Sequence, residues 1–361
     1  MKRHRQPITL LLGLLTTLLV ACAGVPATAP AGGTPPPTVR AAVGTSASPV
    51  AVGGAPATSS GGRTPAAPGS AASPAGTPRN AATPTATTYP LTVRDDAGRE
   101  VTLPARPRRF ISLAPSNTEI LYALGLGDRV VGVDRFSDYP EAARTKPQIG
   151  GFATTNIEEV VALAPDLVLA TGIHAPDYLA ALEGKGLRVV VLSPPDLPGV
   201  LANISLVGRL ADENAAAAAL RASLEARLAA VDTRLRGATA RPRVFLELDP
   251  NDFFTAGPRS FQDDLIRRAG GANIAADAAT PFPQLSPEAI IARDPEVIVL
   301  TDTVLGATPD AVKARPGWAG ISAVRDGRIV AIDSSLASRP GPRVFDALEQ
   351  LARAFHPELF R

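Results

Sequence analysis

One stretch of this 361-residue chain occurs twice, and this repeat constrains the fold more than any other feature of the sequence. Residues 156 to 171 read NIEEVVALAPDLVLAT, and residues 286 to 301 read SPEAIIARDPEVIVLT, so the two stretches align without a gap. Each predicts a capped helix, a tight turn that contains proline, and a buried strand. Both copies carry a glutamate at the second helical position, Glu158 and Glu288. The repeat therefore indicates two similar structural units in one chain.

Two further pairs of segments extend the repeat. They are SNTEILYALGLG at 116 to 127 with SFQDDLIRRAGG at 260 to 271, and GLRVVVL at 186 to 192 with DGRIVAI at 326 to 332. Because three matched pairs occur in the same order, we expect two similar lobes, at 91 to 195 and 241 to 361. In the first segment, Glu119 stands three positions after Ser116, which predicts a capping box with a purely structural role.

Seven short apolar runs alternate with amphipathic segments in the C-terminal three quarters of the chain. Their β-branched, nearly continuous hydrophobicity is typical of parallel strands covered on both faces, with helices as the crossovers. The predicted strands are 109–114, 130–133, 167–170, 188–192, 243–248, 297–300 and 328–332. The predicted fold class is therefore α/β, with a mostly parallel sheet flanked by helices in each lobe.

A helical segment at 196 to 240 is expected to connect the lobes. From Asp212 to Arg236 it is rich in alanine and leucine and contains neither glycine nor proline, so we predict one long connecting helix. Lobes joined by a rigid helix should move little. They should also enclose a cleft where the carboxyl ends of their strands face each other, which is the usual place for a ligand in open α/β sheets.

The N-terminal quarter has the composition of an exported and anchored protein. Residues 1 to 21 combine a basic start with an apolar run too short to span a bilayer, which is typical of a signal peptide. They lead into LVAC, which matches the lipobox of bacterial lipoproteins, so the single cysteine, Cys22, is the expected lipid anchor. Residues 22 to 90, mostly Ala, Pro, Thr, Gly and Ser, predict a disordered linker. We therefore expect the folded part to be tethered to the extracytoplasmic face of the cell membrane, in the periplasm or at the cell exterior.

The charge balance and the missing motifs restrict the function classes. The chain carries 36 basic against 34 acidic residues without a basic patch, which argues against nucleic acid as a partner. It has 3 histidines, too few for a typical zinc or manganese site, so we expect neither a resident metal nor a cofactor. Hydrolase and phosphate-loop motifs are absent, so we do not expect an enzyme. A tethered hydrolase and a tethered sensor or adhesion module are the alternatives from other classes.

Three stretches closely resemble the substrate-binding proteins of cobalamin and ferric-siderophore ABC importers, and they look nearest the cobalamin branch. These stretches are 108–171, 253–274 and 282–301, and the resemblance covers essentially all of 91 to 361. It implies a monomer that captures a corrinoid between its lobes and delivers it to an ABC permease dimer with its ATPase. In that family a glutamate on each lobe docks onto the permease, which implies this role for Glu158 and Glu288. An acid in the first turn is also stabilised by the helix macrodipole, whatever its function.

The resemblance also implies a set of ligand-binding residues. The family's cobalamin binders line the cleft with aromatic rings that pack on the flat macrocycle. The matching positions here are Phe136, Phe152, Phe254 and Phe282, with Tyr139 close by and Arg339 as a polar contact. Each phenylalanine could instead belong to the core, where this residue is common.

The identity of the ligand stays open at this point. Cobalamin binders often carry tryptophan where this chain has Phe152, Thr171, Phe282 and Leu336, and its single tryptophan, Trp318, falls elsewhere. A ferric siderophore or haem is therefore the alternative ligand, since Arg339 could bind its carboxylates in a bidentate manner. His174, after the strand at 167–170, is expected at the mouth of the cleft. It reads either as a solvent-exposed loop residue or as a contact to a metallated macrocycle.

Overall fold

The computed structural model describes residues 86 to 152 and 155 to 361. The predicted signal peptide, the Cys22 anchor and most of the predicted linker lie outside the described residues. Among the described residues, no helix is both long enough and apolar enough to cross a membrane. The last linker residues contact the folded part: the Thr87 amide donates to the Asp212 carboxylate (2.6 Å), and the Tyr89 hydroxyl donates to the Leu210 carbonyl (2.9 Å).

An antiparallel hairpin begins the described fold. It consists of β1 (Leu91–Arg94) and β2 (Glu100–Leu103). Its turn is held by Asp95, whose carboxylate accepts hydrogen bonds from the backbone amides of Ala97 and Arg99. This hairpin was not predicted, because only alternate residues of its strands are apolar and each strand has only 4 residues.

The N-terminal lobe contains a four-stranded parallel sheet in the order β4-β3-β5-β6. Its strands are β3 (Phe110–Ser112), β4 (Val130–Val133), β5 (Leu167–Ala170) and β6 (Val189–Val191). Its helices are α1 (Pro115–Ala123), α2 (Ile157–Ala162) and α3 (Pro176–Gly184), with short 3-10 turns at Gly127–Arg129 and Glu141–Thr145. All four residues of β5 are buried, as expected for a parallel strand covered on both faces.

The C-terminal lobe contains a second four-stranded parallel sheet in the order β10-β9-β7-β8. Its strands are β7 (Arg243–Glu247), β8 (Ala272–Asn273), β9 (Val297–Leu300) and β10 (Ile329–Ala331). Its helices are α6 (Phe261–Arg268), α7 (Pro287–Arg293), α8 (Pro309–Lys313), α9 (Ser322–Arg325), α10 (Ser334–Ala337) and α11 (Val344–Phe355), with 3-10 turns at Thr303–Leu305, Trp318–Gly320 and Pro357–Phe360. The strand β8 was not predicted, since two residues give no pattern.

The two lobes share one topology, which confirms the α/β fold and the repeat. In each four-stranded sheet, with its strands counted in chain order, the first strand lies between the second and the third, and the fourth is at the edge beside the third. The repeat extends to the backbone, because Ala164 and Asp294, at equivalent positions of the two turns, have left-handed φ angles of 44° and 42°. All seven predicted strands are present.

A pair of antiparallel helices links the lobes. They are α4 (Leu197–Ala211) and α5 (Asn214–Leu235), and α5 is the predicted long helix. Asp212 was predicted inside this helix but ends α4 instead, with a left-handed φ of 56°. Close packing requires a glycine at 208, where a Cβ would lie 2.3 Å from that of Ala217. One hydrophobic cluster runs from the N-terminal sheet through α4 and α5 into β7, α6 and α11, so the lobes share a continuous core.

Candidate functional site

Large apolar side chains are exposed at the edges where the parallel strands end. Within the described residues they are Phe136, Tyr139, Ile173, Phe254, Phe282, Val304 and Leu305. All but Phe282 follow the carboxyl end of β4, β5, β7 or β9. Exposed apolar groups gathered in this way mark a binding surface. We call these seven residues the apolar rim.

Four of the predicted ligand residues belong to the apolar rim and not to the core. Phe136 and Phe254 are each 39% exposed, Tyr139 is 47% exposed and Phe282 is 53% exposed. The other members, Ile173, Val304 and Leu305, were not predicted from the sequence. The repeat could have found them, because they follow the third strand of each lobe at nearly the same distance.

Phe152 belongs to a stack of rings on the N-terminal lobe. Its ring lies 5.4 Å from that of Phe136 in a stacked arrangement, and 5.9 Å from that of His174 edge-on. His174 stacks in turn on Tyr178 at 5.7 Å, and the guanidinium of Arg135 lies 4.7 Å above Phe136. The stack therefore runs from a partly exposed ring at the strand edge into the interior of the lobe.

His174 is buried, so the first of its two interpretations, a solvent-exposed loop residue, was wrong. The residue is 4% exposed, with Tyr178 stacked on its ring and Phe152 in edge-on contact. Its Nδ1 lies 3.2 Å from the backbone nitrogen of Thr171, while its Nε2 has no hydrogen-bond partner among the described residues. Burial lowers the pKa of His174, which favours the neutral ring.

A returning loop pairs the two chain segments that carry the aromatic residues Phe254 and Phe282 of the C-terminal lobe. After β7 the chain turns at Asp249, and the amide of Leu248 donates to the carbonyl of Phe254 (2.9 Å). Phe254 then pairs with Gln284 in an antiparallel bridge. Because side chains alternate along extended chain, Phe282 lies on the same side of this pair as Phe254. Trp318 is not part of the apolar rim, because it is 1% exposed and belongs to the core of the lobe.

Ion pairs between the lobes occupy the predicted ligand contact Arg339. Its Nη1 lies 2.5 Å from Asp138 Oδ1 and 3.8 Å from Glu119 Oε1. Arg343 reaches across in the same way, with its Nη2 at 2.6 Å from Glu119, and its guanidinium lies 4.0 Å from the ring centre of Tyr139. Asp138 and Arg343 were not predicted as site residues. The two arginines four residues apart in SRPGPR were the available signal.

The capping-box role predicted for Glu119 was wrong. The helix α1 begins at Pro115, its N-cap is Ala114 without a side-chain cap, and Ser116 lies inside the helix. The Glu119 side chain is 2% exposed and faces the arginines of the other lobe. Burial raises the pKa of Glu119, and the nearby Arg343 partly opposes this shift. For Asp138, burial acts to raise the pKa, but the hydrogen bond and charge of Arg339 hold it below its usual value.

A buried carboxyl pair lies at the strand edge of the C-terminal lobe. Glu247, at the end of β7, accepts two hydrogen bonds from Arg315 at 2.5 and 2.8 Å. Asp302 is 2% exposed, and neither of its carboxyl oxygens has a hydrogen-bond partner among the described residues. Burial and the negative charge of Glu247 raise the pKa of Asp302 to about 7. In the described ranges no group of three or more His, Cys, Asp or Glu could hold a metal ion.

The paired glutamates of the repeat are exposed at equivalent helix starts. The N-cap Asn156 accepts a hydrogen bond from the Glu158 amide, and the N-cap Ser286 accepts one from the Ala289 amide. Glu158 forms a surface ion pair with Lys185 at 3.1 Å, which contributes little to stability. The Glu288 carboxylate has no hydrogen bond or ion pair with the described residues. Both carboxylates are therefore accessible to a partner.

Comparison with known proteins agrees with this architecture. The sequence profile of a family described as periplasmic binding protein matches residues 111–336. An uncharacterised ABC transporter substrate-binding lipoprotein of Bacillus subtilis, YvrC, is 33% identical over 280 residues, which cover 76% of this chain and 88% of that protein. A cobalamin-binding protein of Halobacterium salinarum is 35% identical over 299 residues, 80% of each chain. The apo structure of the periplasmic haem-binding protein RhuT from Roseiflexus has a TM-score of 0.64 and 33% identity, and the match covers 70% of this chain and 99% of that one.

Proposed function

This chain belongs to the periplasmic binding protein family, and we propose that it is the substrate-binding lipoprotein of an ABC importer that captures cobalamin or a related corrinoid. Its partners in this role are the small-molecule ligand, a permease dimer with its ATPase, and the membrane through an acylated Cys22. The relative from Bacillus subtilis, which carries the word lipoprotein in its name, supports the anchor. The relative from Halobacterium salinarum supports the ligand class.

The apolar rim is the observation that carries this proposal. An aromatic side chain can bury about 150–250 Å². At exposures of 39% to 53%, each ring of the rim leaves about 80–100 Å² for a ligand to cover. At about 25 cal/mol per Å², covering one ring contributes about 2 kcal/mol. A flat macrocycle that touches rings on both lobes would gain this several times, whereas a small ion would gain almost none of it.

Haem is the second candidate ligand. Two observations favour it: the relative RhuT is a haem-binding protein, and His174 Nε2 is a buried nitrogen without a partner in the described part of the chain. Phe152 stands between this nitrogen's ring and the exposed Phe136. For an imidazole to reach a bound metal, the Phe152 ring would have to move. The corrinoid proposal requires no such movement, and we prefer it for this reason.

Glu158 and Glu288 are the proposed contacts to the permease. They are exposed, they occupy equivalent positions in the two lobes, and each lies in the first turn of a helix. A carboxylate held in this way can pair with an arginine of the partner in a bidentate geometry. One such contact on each lobe suits a partner made of two subunits.

A charge-reversal experiment tests this function. Host cells that lack the gene would be complemented with wild type or with Glu158→Lys/Glu288→Lys, and uptake of labelled cyanocobalamin would be measured. We expect the double variant to abolish uptake while its affinity for cyanocobalamin in solution stays within about threefold. The control is Glu100→Lys/Asp310→Lys, which reverses one exposed acid in each lobe and should transport normally. Normal uptake by the Glu158/Glu288 variant would contradict the docking role, and wild type that neither binds nor imports cyanocobalamin would contradict the function.

A further inference from the structure

We propose that Asp138 is a specificity residue that occupies Arg339 and thereby disfavours ligands that carry carboxylates. This inference rests on the proposed use of the apolar rim for ligand capture. It goes further, because it states how the cleft distinguishes two ligands of similar size and flatness.

The geometry makes Arg339 a poor receptor for an external anion. Its side chain is 18% exposed, and its Nη1 is already held by Asp138 at 2.5 Å and approached by Glu119 at 3.8 Å. A ligand carboxylate at this guanidinium would have to displace Asp138 or lie next to its negative charge. Two neighbouring carboxylates repel each other, and the repulsion is stronger where the side chains are partly buried.

The neighbouring arginine is occupied in the same way. Arg343 donates to Glu119 at 2.6 Å, and its guanidinium lies over the Tyr139 ring. The C-terminal lobe thus presents two guanidinium groups at this point, and the N-terminal lobe supplies an acid to each. A neutral macrocycle edge that carries amides can hydrogen bond to such pairs without separating their charges.

Asp138 is the acid whose removal would change this balance. The side chain of Asp138 is 41% exposed, whereas that of Glu119 is 2% exposed. Asp138 is therefore the acid that can be replaced with less disturbance of the protein interior. Two other arginines are close: Arg144 lies 3.8 Å from Asp138 and is 63% exposed, and Arg135 covers Phe136. Both are near the apolar rim, but both are exposed and therefore already accessible to a ligand anion. Replacement of Asp138 mainly changes the availability of Arg339.

The test compares haemin with haemin dimethyl ester, which have the same ring but differ in their carboxylates. Binding of each to wild type and to Asp138→Asn would be measured by absorbance titration in one buffer. We expect the ratio of haemin affinity to ester affinity to rise at least tenfold in Asp138→Asn. Ring stacking cancels in this ratio, so a general change in the cleft would not move it.

Three further variants make the result specific. Asp138→Glu keeps the charge and should keep the wild-type ratio within about threefold. Asp232→Asn removes an exposed acid on α5 and should leave the ratio unchanged. Adding Arg339→Gln to Asp138→Asn should return the ratio to within about threefold of wild type, because the released guanidinium is then gone.

The outcomes separate this inference from the proposed function. An unchanged ratio in Asp138→Asn, a raised ratio that persists in the double variant, or no binding of either porphyrin to wild type and Asp138→Asn would each overturn the inference. Cyanocobalamin titrated into wild type reports on the function alone. If cyanocobalamin binds while the ratio does not shift, the function stands and the inference falls. If cyanocobalamin fails to bind while the ratio shifts, the role of Asp138 stands and the corrinoid function falls.

Discussion

Replacing Asp302 with asparagine should stabilise the protein at alkaline pH and much less at acidic pH. Asp302 follows β9 and directly precedes the 3-10 turn that carries Val304 and Leu305 of the apolar rim, and its buried carboxyl oxygens lack hydrogen-bond partners among the described residues. Its pKa is raised to about 7 from the usual 3.8, because burial and the charge of Glu247 disfavour the ionised form. Asparagine has a similar shape and cannot ionise.

The sign and size follow from the two pKa values. In the unfolded chain Asp302 loses its proton near pH 4, whereas in the folded protein it keeps the proton up to about pH 7. The folded state therefore binds the proton more tightly, and its stability falls as the pH rises from about 4 to about 7. Between pH 5 and pH 8 this amounts to about two pKa units, or roughly 3 kcal/mol as an upper figure. For a folded part of this size, that is roughly 5 to 10 °C in melting temperature.

Thermal unfolding of wild type and Asp302→Asn at pH 5 and pH 8 measures this effect. At each pH, the melting temperature of wild type is subtracted from that of Asp302→Asn, and the two differences are compared. The effects of other titrating groups cancel in this comparison. Asp310→Asn on α8 is the control, because it removes an acid whose side chain is 92% exposed. An Asp302→Asn variant that gains no more at pH 8 than at pH 5 would refute the reasoning.

Two further predictions concern the anchor and the cleft. Replacing Cys22 with serine should release the protein from the membrane fraction or leave the uncleaved precursor, and unchanged size and fractionation would count against the lipobox interpretation. Phe152→Ala and Phe282→Ala should each weaken corrinoid binding more than tenfold, which corresponds to about 2 kcal/mol, whereas Arg339→Ala should matter less. A compact anionic ferric siderophore covers little of the rings, so for this ligand we expect the two phenylalanine substitutions to have small effects, and isothermal titration of the variants decides between the ligand classes.

The strands and the repeat were predictable because their signals are local. The strands β5 and β9 are continuous apolar runs that are fully buried, and each follows a capped helix and a turn. These features lie within about sixteen residues, so the pattern carries them. The hairpin of β1 and β2 was missed because its strands are short and only their alternate residues face the core.

The contacts between the lobes were not predictable because they join distant parts of the chain. Asp138 and Arg339 are 201 positions apart, and Glu119 and Arg343 are 224 apart. The local pattern around Glu119 fits a capping box, yet two guanidinium groups determine where its side chain lies. The predicted cleft residues came from a family resemblance. Their exposure, which makes them a surface and not a core, depends on loops whose paths the sequence does not specify.

The most direct measurement is a titration of the purified chain, with Cys22→Ser to remove the anchor, against cyanocobalamin, haemin and a ferric siderophore. We predict one cyanocobalamin bound per chain with a Kd below about 1 μM, which corresponds to more than about 8 kcal/mol and requires several rings of the apolar rim to be covered. Haemin should bind more weakly, because Asp138 holds Arg339. No binding of cyanocobalamin at micromolar concentration, or a clear preference for haemin or the siderophore, would contradict the corrinoid assignment.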